Sequence, residues 1–88
     1  MVTHNSVEIY TTDFCGFCYR ALQLLKSRNI QYTQYDLTLD RDGRKAMSSR
    51  AGGRTSVPQI FINNIHIGGS DELIEISLNG SLDKLLNS

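Results

Sequence analysis

Hydrophobic and polar positions change period several times along this chain. In Val7-Glu8-Ile9-Tyr10 they alternate and β-formers dominate, which predicts a short strand. Thr11 to Phe14 breaks the alternation. Cys18, Ala21, Leu22 and Leu25 then recur at i, i+3, i+4 and i+7, with Arg20, Gln23 and Lys26 off the stripe, so an amphipathic helix follows. Asn29 can end it. Ile30 to Leu37, with its β-branched and aromatic residues, predicts a second strand. Strand, helix and strand within about 30 residues form a βαβ unit, with parallel strands and a right-handed crossover.

Residues 40–51 predict a second helix that carries Ala46, Met47 and Ala51, weakened by Gly43 and two serines. Ala51 to Arg54 is a loop. Two apolar runs, Gln59 to Ile62 and Ile65 to Ile67, flank Asn63-Asn64. Asparagine tolerates the positive φ of a tight turn, so these runs predict a hairpin. After Gly68-Gly69, Ser70 is expected to cap a helix with Asp71 and Glu72 in its first turn and Leu73, Ile74 and Leu78 on its buried side. Asn79-Gly80 ends that helix, and Ser81 is expected to cap a last one bearing Leu82, Leu85 and Leu86. The predicted order is β-α-β-α-β-β-α-α.

Eighty-eight residues provide for one small domain, taken as residues 1–88. Nine basic and nine acidic side chains cancel, which gives no net-charge case for nucleic acid or an anionic membrane as partner. The charges are unevenly spread: Arg41, Arg44, Lys45, Arg50 and Arg54 cluster in one stretch, and Asp71, Glu72, Glu75 and Asp83 in another. The plain reading is two solvated helix faces; the sharper one is a basic side that collects a small anionic ligand. No apolar stretch approaches the roughly 20 residues that span a bilayer. MVTHNS does not resemble a secretory leader, so a cytoplasmic protein is expected. In that compartment a close cysteine pair is more often catalytic or metal-binding than a staple.

Cys15 and Cys18 are the only cysteines and stand three apart. They can be a redox pair, half of a metal site, or two small core residues. Structural zinc needs about four ligands, and the remaining donors, His4 and His66, match no zinc-finger spacing. Position favours redox chemistry, because the pair sits at the turn of a βαβ unit, where CxxC reads as thioredoxin-like. A helix beginning near Cys15 directs unpaired N–H groups and its positive end at that sulfur and favours thiolate, the attacking species in disulfide exchange. Cys18, one turn further in, is expected to be the sheltered thiol. Pro58 is the only proline. It can start an edge strand or, if the Val57–Pro58 bond is cis, hold the Val57 backbone where a peptide-like ligand can pair with it.

The segments VEIYTTDFCGFC, GGRTSVPQIFINNIHIGG and GGSDEL together resemble the glutaredoxin family over nearly the whole chain. The resemblance implies a thioredoxin-like α/β fold with a four-stranded mixed sheet flanked by helices, and glutathione as co-substrate. It implies Cys15 as nucleophile, Cys18 as resolving thiol and Phe17 as the aromatic beside the glutathione sulfur. It further implies Val57 as the residue whose backbone pairs with the cysteinyl part, Pro58 as a cis-proline, and Arg54 near the glycine carboxylate. Ser70 and Asp71 would hold the γ-glutamyl end, and Thr12, Ser56 and Gly69 would complete the glutathione site. Four positions depart from the family pattern. Gly16-Phe17 replaces Pro-Tyr, Thr12 stands where many members have lysine, and Ser56 replaces threonine. CGFC also resembles the CGFS of monothiol members that bind a 2Fe–2S cluster between two subunits with glutathione, but tryptophan is absent and with it their WP segment.

The expectation is therefore a dithiol glutaredoxin, monomeric without a cluster. It would reduce protein–glutathione mixed disulfides and protein disulfides, with glutathione reductase acting through glutathione. The alternative is a 2Fe–2S carrier or sensor with Cys15 as ligand.

Overall fold

A computed structural model describes residues 5–87, so His4 lies outside the described residues. The element order is β1 (Val7–Thr11), α1 (Gly16–Ser27), β2 (Thr33–Asp36), α2 (Arg41–Arg50), β3 (Gln59–Ile62), β4 (Ile65–Gly68), α3 (Ser70–Leu78) and α4 (Ser81–Leu86). The strands form one mixed sheet in the order β2-β1-β3-β4. β1 runs parallel to β2 and antiparallel to β3, and β3 runs antiparallel to β4.

The alternation seen in the sequence sorts side chains onto two faces. Val7 and Ile9 of β1 and Ile60 and Ile62 of β3 pack with Ala21 and Leu25 of α1, Leu73 of α3 and Leu82 of α4. Phe61 points the other way and packs with Leu37 and with Met47 and Ala51 beside α2, flanked by Tyr10 and Val57. β3 is consequently buried at all four positions. Asn63 and Asn64, at φ 51° and 65°, make the hairpin turn between β3 and β4.

Helix ends follow local chemistry. Asn29, at φ 57°, stops α1: its N–H donates to the Lys26 carbonyl (3.1 Å) and that of Ile30 to Leu25 (3.0 Å), the paired bonds of a Schellman motif. Asp40 caps α2 by accepting from the Gly43 N–H at 2.8 Å. A Cβ at Gly43 would meet that carboxylate at 2.3 Å, so this glycine gives the cap room while lowering helix propensity.

Four details differ from the expectations. β2 is shorter than Ile30–Leu37 and exposed throughout, because it is a sheet edge that no helix covers. Gly69 and Gly80, not Ser70 and Ser81, are the N-caps of α3 and α4, and neither cap makes a side-chain hydrogen bond. Leu78 is 83% exposed, whereas Ile76 packs on the core with Leu85 and Leu86. The last turn of α3 leads out to α4, and Leu78 falls on its solvent side. The basic stretch is also divided, since Arg50 bonds Glu8 whereas Arg54 bonds Glu72.

Arg50 fastens α2 to the sheet. It pairs with Glu8, donates to Tyr10 Oη (3.2 Å) and Asn64 Oδ1 (3.1 Å), and lies over the Phe61 ring at 3.9 Å. The hydrogen bond from Arg50 holds the Glu8 carboxyl below its ordinary value of 4.5. A lowered carboxylate pKa stabilises the fold above the ordinary value, and that contribution disappears as pH falls through the folded value. Glu8→Gln is expected to cost about 1–2 kcal/mol in urea unfolding at neutral pH. The gap to the parent should narrow as pH falls below 4.5 and through the lowered folded value. A gap that stays constant over that range would show that the pair's charge does not stabilise the fold.

Candidate active site

The chain between β1 and α1 delivers the two thiols. Cys15 is the N-cap of α1, with extended backbone (φ −118°, ψ 104°), and its Sγ accepts from the Cys18 N–H at 3.1 Å. That N–H is one of the donors a helix start leaves unpaired, and the sulfur satisfies it. The Cys15 thiol also lies 3.7 Å from the Val57 carbonyl, the acceptor for its S–H when protonated. Both cysteines are free thiols; Cys15 is partly exposed, and Cys18 is 2% exposed. Burial first, and the hydrogen bond with Cys15 second, pushes the Cys18 thiol up to about 12. The pair thus offers one accessible sulfur on a helix end and one sheltered thiol a turn behind it.

Beside Cys15 the backbone enters β3 through a cis Val57–Pro58 peptide. A cleft of about 220 Å³ opens there, lined by Phe17, Arg54, Ser56, Val57, Pro58, Gly69, Ser70, Asp71 and Glu72. Three separate segments build it: the start of α1, the loop before β3, and the β4–α3 junction. The first turn of α3 meets the cleft with Ser70 and Asp71. Ser70 is 4% exposed, and its hydroxyl has no hydrogen-bond partner among the described residues. Phe17 is 59% exposed and so is free to cover a ligand.

Eight of the residues singled out in the sequence therefore share one cleft: Phe17, Arg54, Ser56, Val57, Pro58, Gly69, Ser70 and Asp71. Thr12 is not among them; it lies with Asp13, Phe14 and Gln34 in a separate hollow that also touches Cys15 and Cys18. Glu72 is the lining residue that the sequence marked only as a helix-start acid. Its partner Arg54 stands 18 positions away, so only the tertiary structure brings them together. His66 is engaged elsewhere. Its Nε2 meets Gln59 Oε1 at 2.7 Å, its ring stacks on Phe61, and burial holds its pKa below the ordinary value. Among the described residues no group of three or more His, Cys, Asp or Glu is placed to hold a metal ion.

The glutaredoxin family model matches residues 7–67. The chain belongs to the glutaredoxin family. It is 44% identical to a probable glutaredoxin of Synechocystis over 88 residues, all of both chains. It is 43% identical to glutaredoxin 3 of Escherichia coli over 81 residues, 92% of this chain and 96% of that one. Solved structures agree. The holo form of glutaredoxin C1 from poplar (Populus tremula × tremuloides) aligns with a TM-score of 0.81 at 34% identity over 92% of this chain and 82% of that one. A buckwheat glutaredoxin–glutathione complex aligns with a TM-score of 0.84 at 29% identity over 94% and 77%. This glutaredoxin has the thioredoxin-like sheet of its relatives and is a thiol–disulfide oxidoreductase. No helix among the described residues is long and apolar enough to cross a membrane.

The unequal environments of the two thiols make a direct prediction. With reduced protein and limiting iodoacetamide near neutral pH, Cys15 should be alkylated faster than Cys18 by on the order of tenfold or more. Peptide mass mapping reads the two sites separately. Equal rates would mean that the sheltered thiol is not sheltered in solution.

Proposed function

We propose that this glutaredoxin uses glutathione to reduce protein–glutathione mixed disulfides and protein disulfides, with Cys15 as nucleophile and Cys18 as resolving thiol. The observation that carries the reading is the cleft beside Cys15, which offers a ligand of glutathione's shape three kinds of contact in sequence. Val57 presents backbone to the cysteinyl part, the start of α3 with Ser70 presents N–H groups to the γ-glutamyl carboxylate, and Asp71 presents a carboxylate to its amine. Phe17, Pro58 and Arg54 complete the lining, with Arg54 bonded to Glu72 of the α3 start. The similar buckwheat protein, solved as a glutathione complex, supports the same ligand here.

In the proposed reaction the Cys15 thiolate attacks the glutathione sulfur of the mixed disulfide. The Cys15–glutathione S–S bond forms, the original S–S bond breaks, and the client thiolate leaves and takes a proton from solvent. A second glutathione thiolate attacks the bound glutathione sulfur, releasing glutathione disulfide and regenerating Cys15 thiolate. With a protein disulfide, Cys15 forms the mixed disulfide and one client thiolate leaves. Cys18 then attacks the Cys15 sulfur, and the second client thiolate leaves. The resulting Cys15–Cys18 disulfide is reduced by two glutathiones, which become glutathione disulfide. Cys18 must first lose a proton, which its burial disfavours. Glutathione reductase would return electrons to glutathione. The 2Fe–2S alternative has no observation among the described residues in its favour.

Turnover of a glutathionylated substrate coupled to glutathione reductase tests this reading. Cys15→Ser should abolish turnover, and Cys18→Ser should retain or raise it. Loss of activity in both variants would remove the one-cysteine route, and activity that survives in Cys15→Ser would remove the assigned nucleophile.

A further inference from the structure

Gln59 opens β3 with no exposed surface, an uncommon burial for an amide side chain, and both polar atoms of that amide are paired. Its Nε2 donates to the Ser56 carbonyl at 3.1 Å and to Ser56 Oγ at 3.3 Å, and its Oε1 lies 2.7 Å from His66 Nε2. The Ser56 carbonyl can only accept, so it fixes which end of the amide faces it. Oε1 is thereby turned to His66, and this acceptor requires a proton on the ring's Nε2. Burial holds the His66 pKa below its ordinary value, so at neutral pH the ring is neutral and the contact selects its Nε2–H tautomer. His66 is itself held by stacking on Phe61, its cross-strand partner, at a centroid distance of 4.9 Å. A chain of hydrogen bonds thus runs from β4 through β3 to the residue before Val57, whose carbonyl lies 3.7 Å from Cys15 Sγ. Ser56 and Val57 both line the cleft, whereas Gln59 and His66 do not.

We propose that Gln59 and His66 are positioning residues: through the Ser56 carbonyl they hold the Ser56–Val57 wall of the cleft at its distance from Cys15, so that a substrate meets a preformed site. This inference rests on the glutathione reading above. Two observations favour it over a role in stability alone. Ser56 and Val57 precede β3, outside the strand ladder, and Pro58 has no N–H to donate, so the Gln59 side chain supplies a tie to the sheet that the backbone of Pro58 cannot. Gln59 also shares a face of β3 with Phe61, where an apolar side chain would bury without the cost of desolvating an amide. The relay touches neither thiol and does not enter α1, which carries both. Breaking it should therefore weaken capture of the substrate and leave the exchange step at sulfur in place.

Turnover of a glutathionylated peptide by the full chain, coupled to glutathione reductase and resolved into KM and kcat, tests this. His66→Phe keeps a ring on Phe61 but removes the donor. It should raise KM about threefold or more, the size of one lost hydrogen bond, with kcat within about twofold of the parent. His66→Gln puts an N–H donor back and should return KM to within about twofold of the parent. Gln59→Leu should raise KM at least as much as His66→Phe, and combining the two should change nothing further, because the relay is already broken. Should Gln59→Leu fail to fold, the two His66 variants decide. A KM unchanged in His66→Phe, a KM not recovered in His66→Gln, a fall in kcat equal to the rise in KM, or effects that add in the double variant would each overturn the inference. A parent that does not turn over the peptide, while its Cys15 still alkylates, would overturn the glutathione reading instead.

Discussion

β3 has to be covered on both faces, and most of the architecture meets that demand. Ile60 and Ile62 require α1, α3 and α4 on one side, and Phe61 requires α2 on the other. A four-residue strand with no exposed position stays in water only as the interior of a layered structure. β1 fixes its register through the pairs Ile9–Ile60 and Val7–Ile62, which place like side chains on one face. The strand's first residue follows Pro58, so the segment that anchors the core also sets Val57 beside Cys15. Stability and site geometry are in this sense one constraint: shifting β3 by one residue would invert both cores and carry the Val57 carbonyl away from the sulfur.

The chemistry at the other side of that contact is local. Cys15 and Cys18 belong to one helix turn, so their relation is set by helix geometry rather than by long-range packing. The same turn separates them electrostatically. The first thiol faces N–H groups and solvent, and the second faces the interior, where a charge is costly. An asymmetric pair follows from placing two identical residues at the boundary and one turn inside.

This locality explains what the sequence disclosed. The cysteine helix, the Asn63-Asn64 hairpin and the Asn29 stop each depend on residues within one or two turns of each other, and the structure has all three. The departures depend on distant partners. Ile30 to Leu37 reads as a full strand, yet only Thr33–Asp36 pairs, because the chain joins an exposed edge. Ser70 and Ser81 have the chemistry of caps, but the glycines before them take the cap positions, and Ser70 is drawn into the interior as the first residue of α3. Leu78 continues the apolar pattern of α3 but faces water because α4 claims the other side. Thr12, three residues from Cys15, lines a different hollow from the cleft of Arg54 and Asp71, since the helix start stands between them.

The cleft shows the same division more sharply. Residues from three segments line it, and its one cation meets an acid 18 positions away. No periodicity in the chain couples Arg54 to Glu72. What couples them is the β3–β4 hairpin, which returns the chain so that the start of α3 lies against the loop before β3. The hairpin turn, legible from two asparagines, thus determines an electrostatic contact that no short motif encodes. A charge lining a cleft is therefore informative only together with the charge facing it. Arg54 by itself reads as an anion site, whereas the structure pairs it with Glu72.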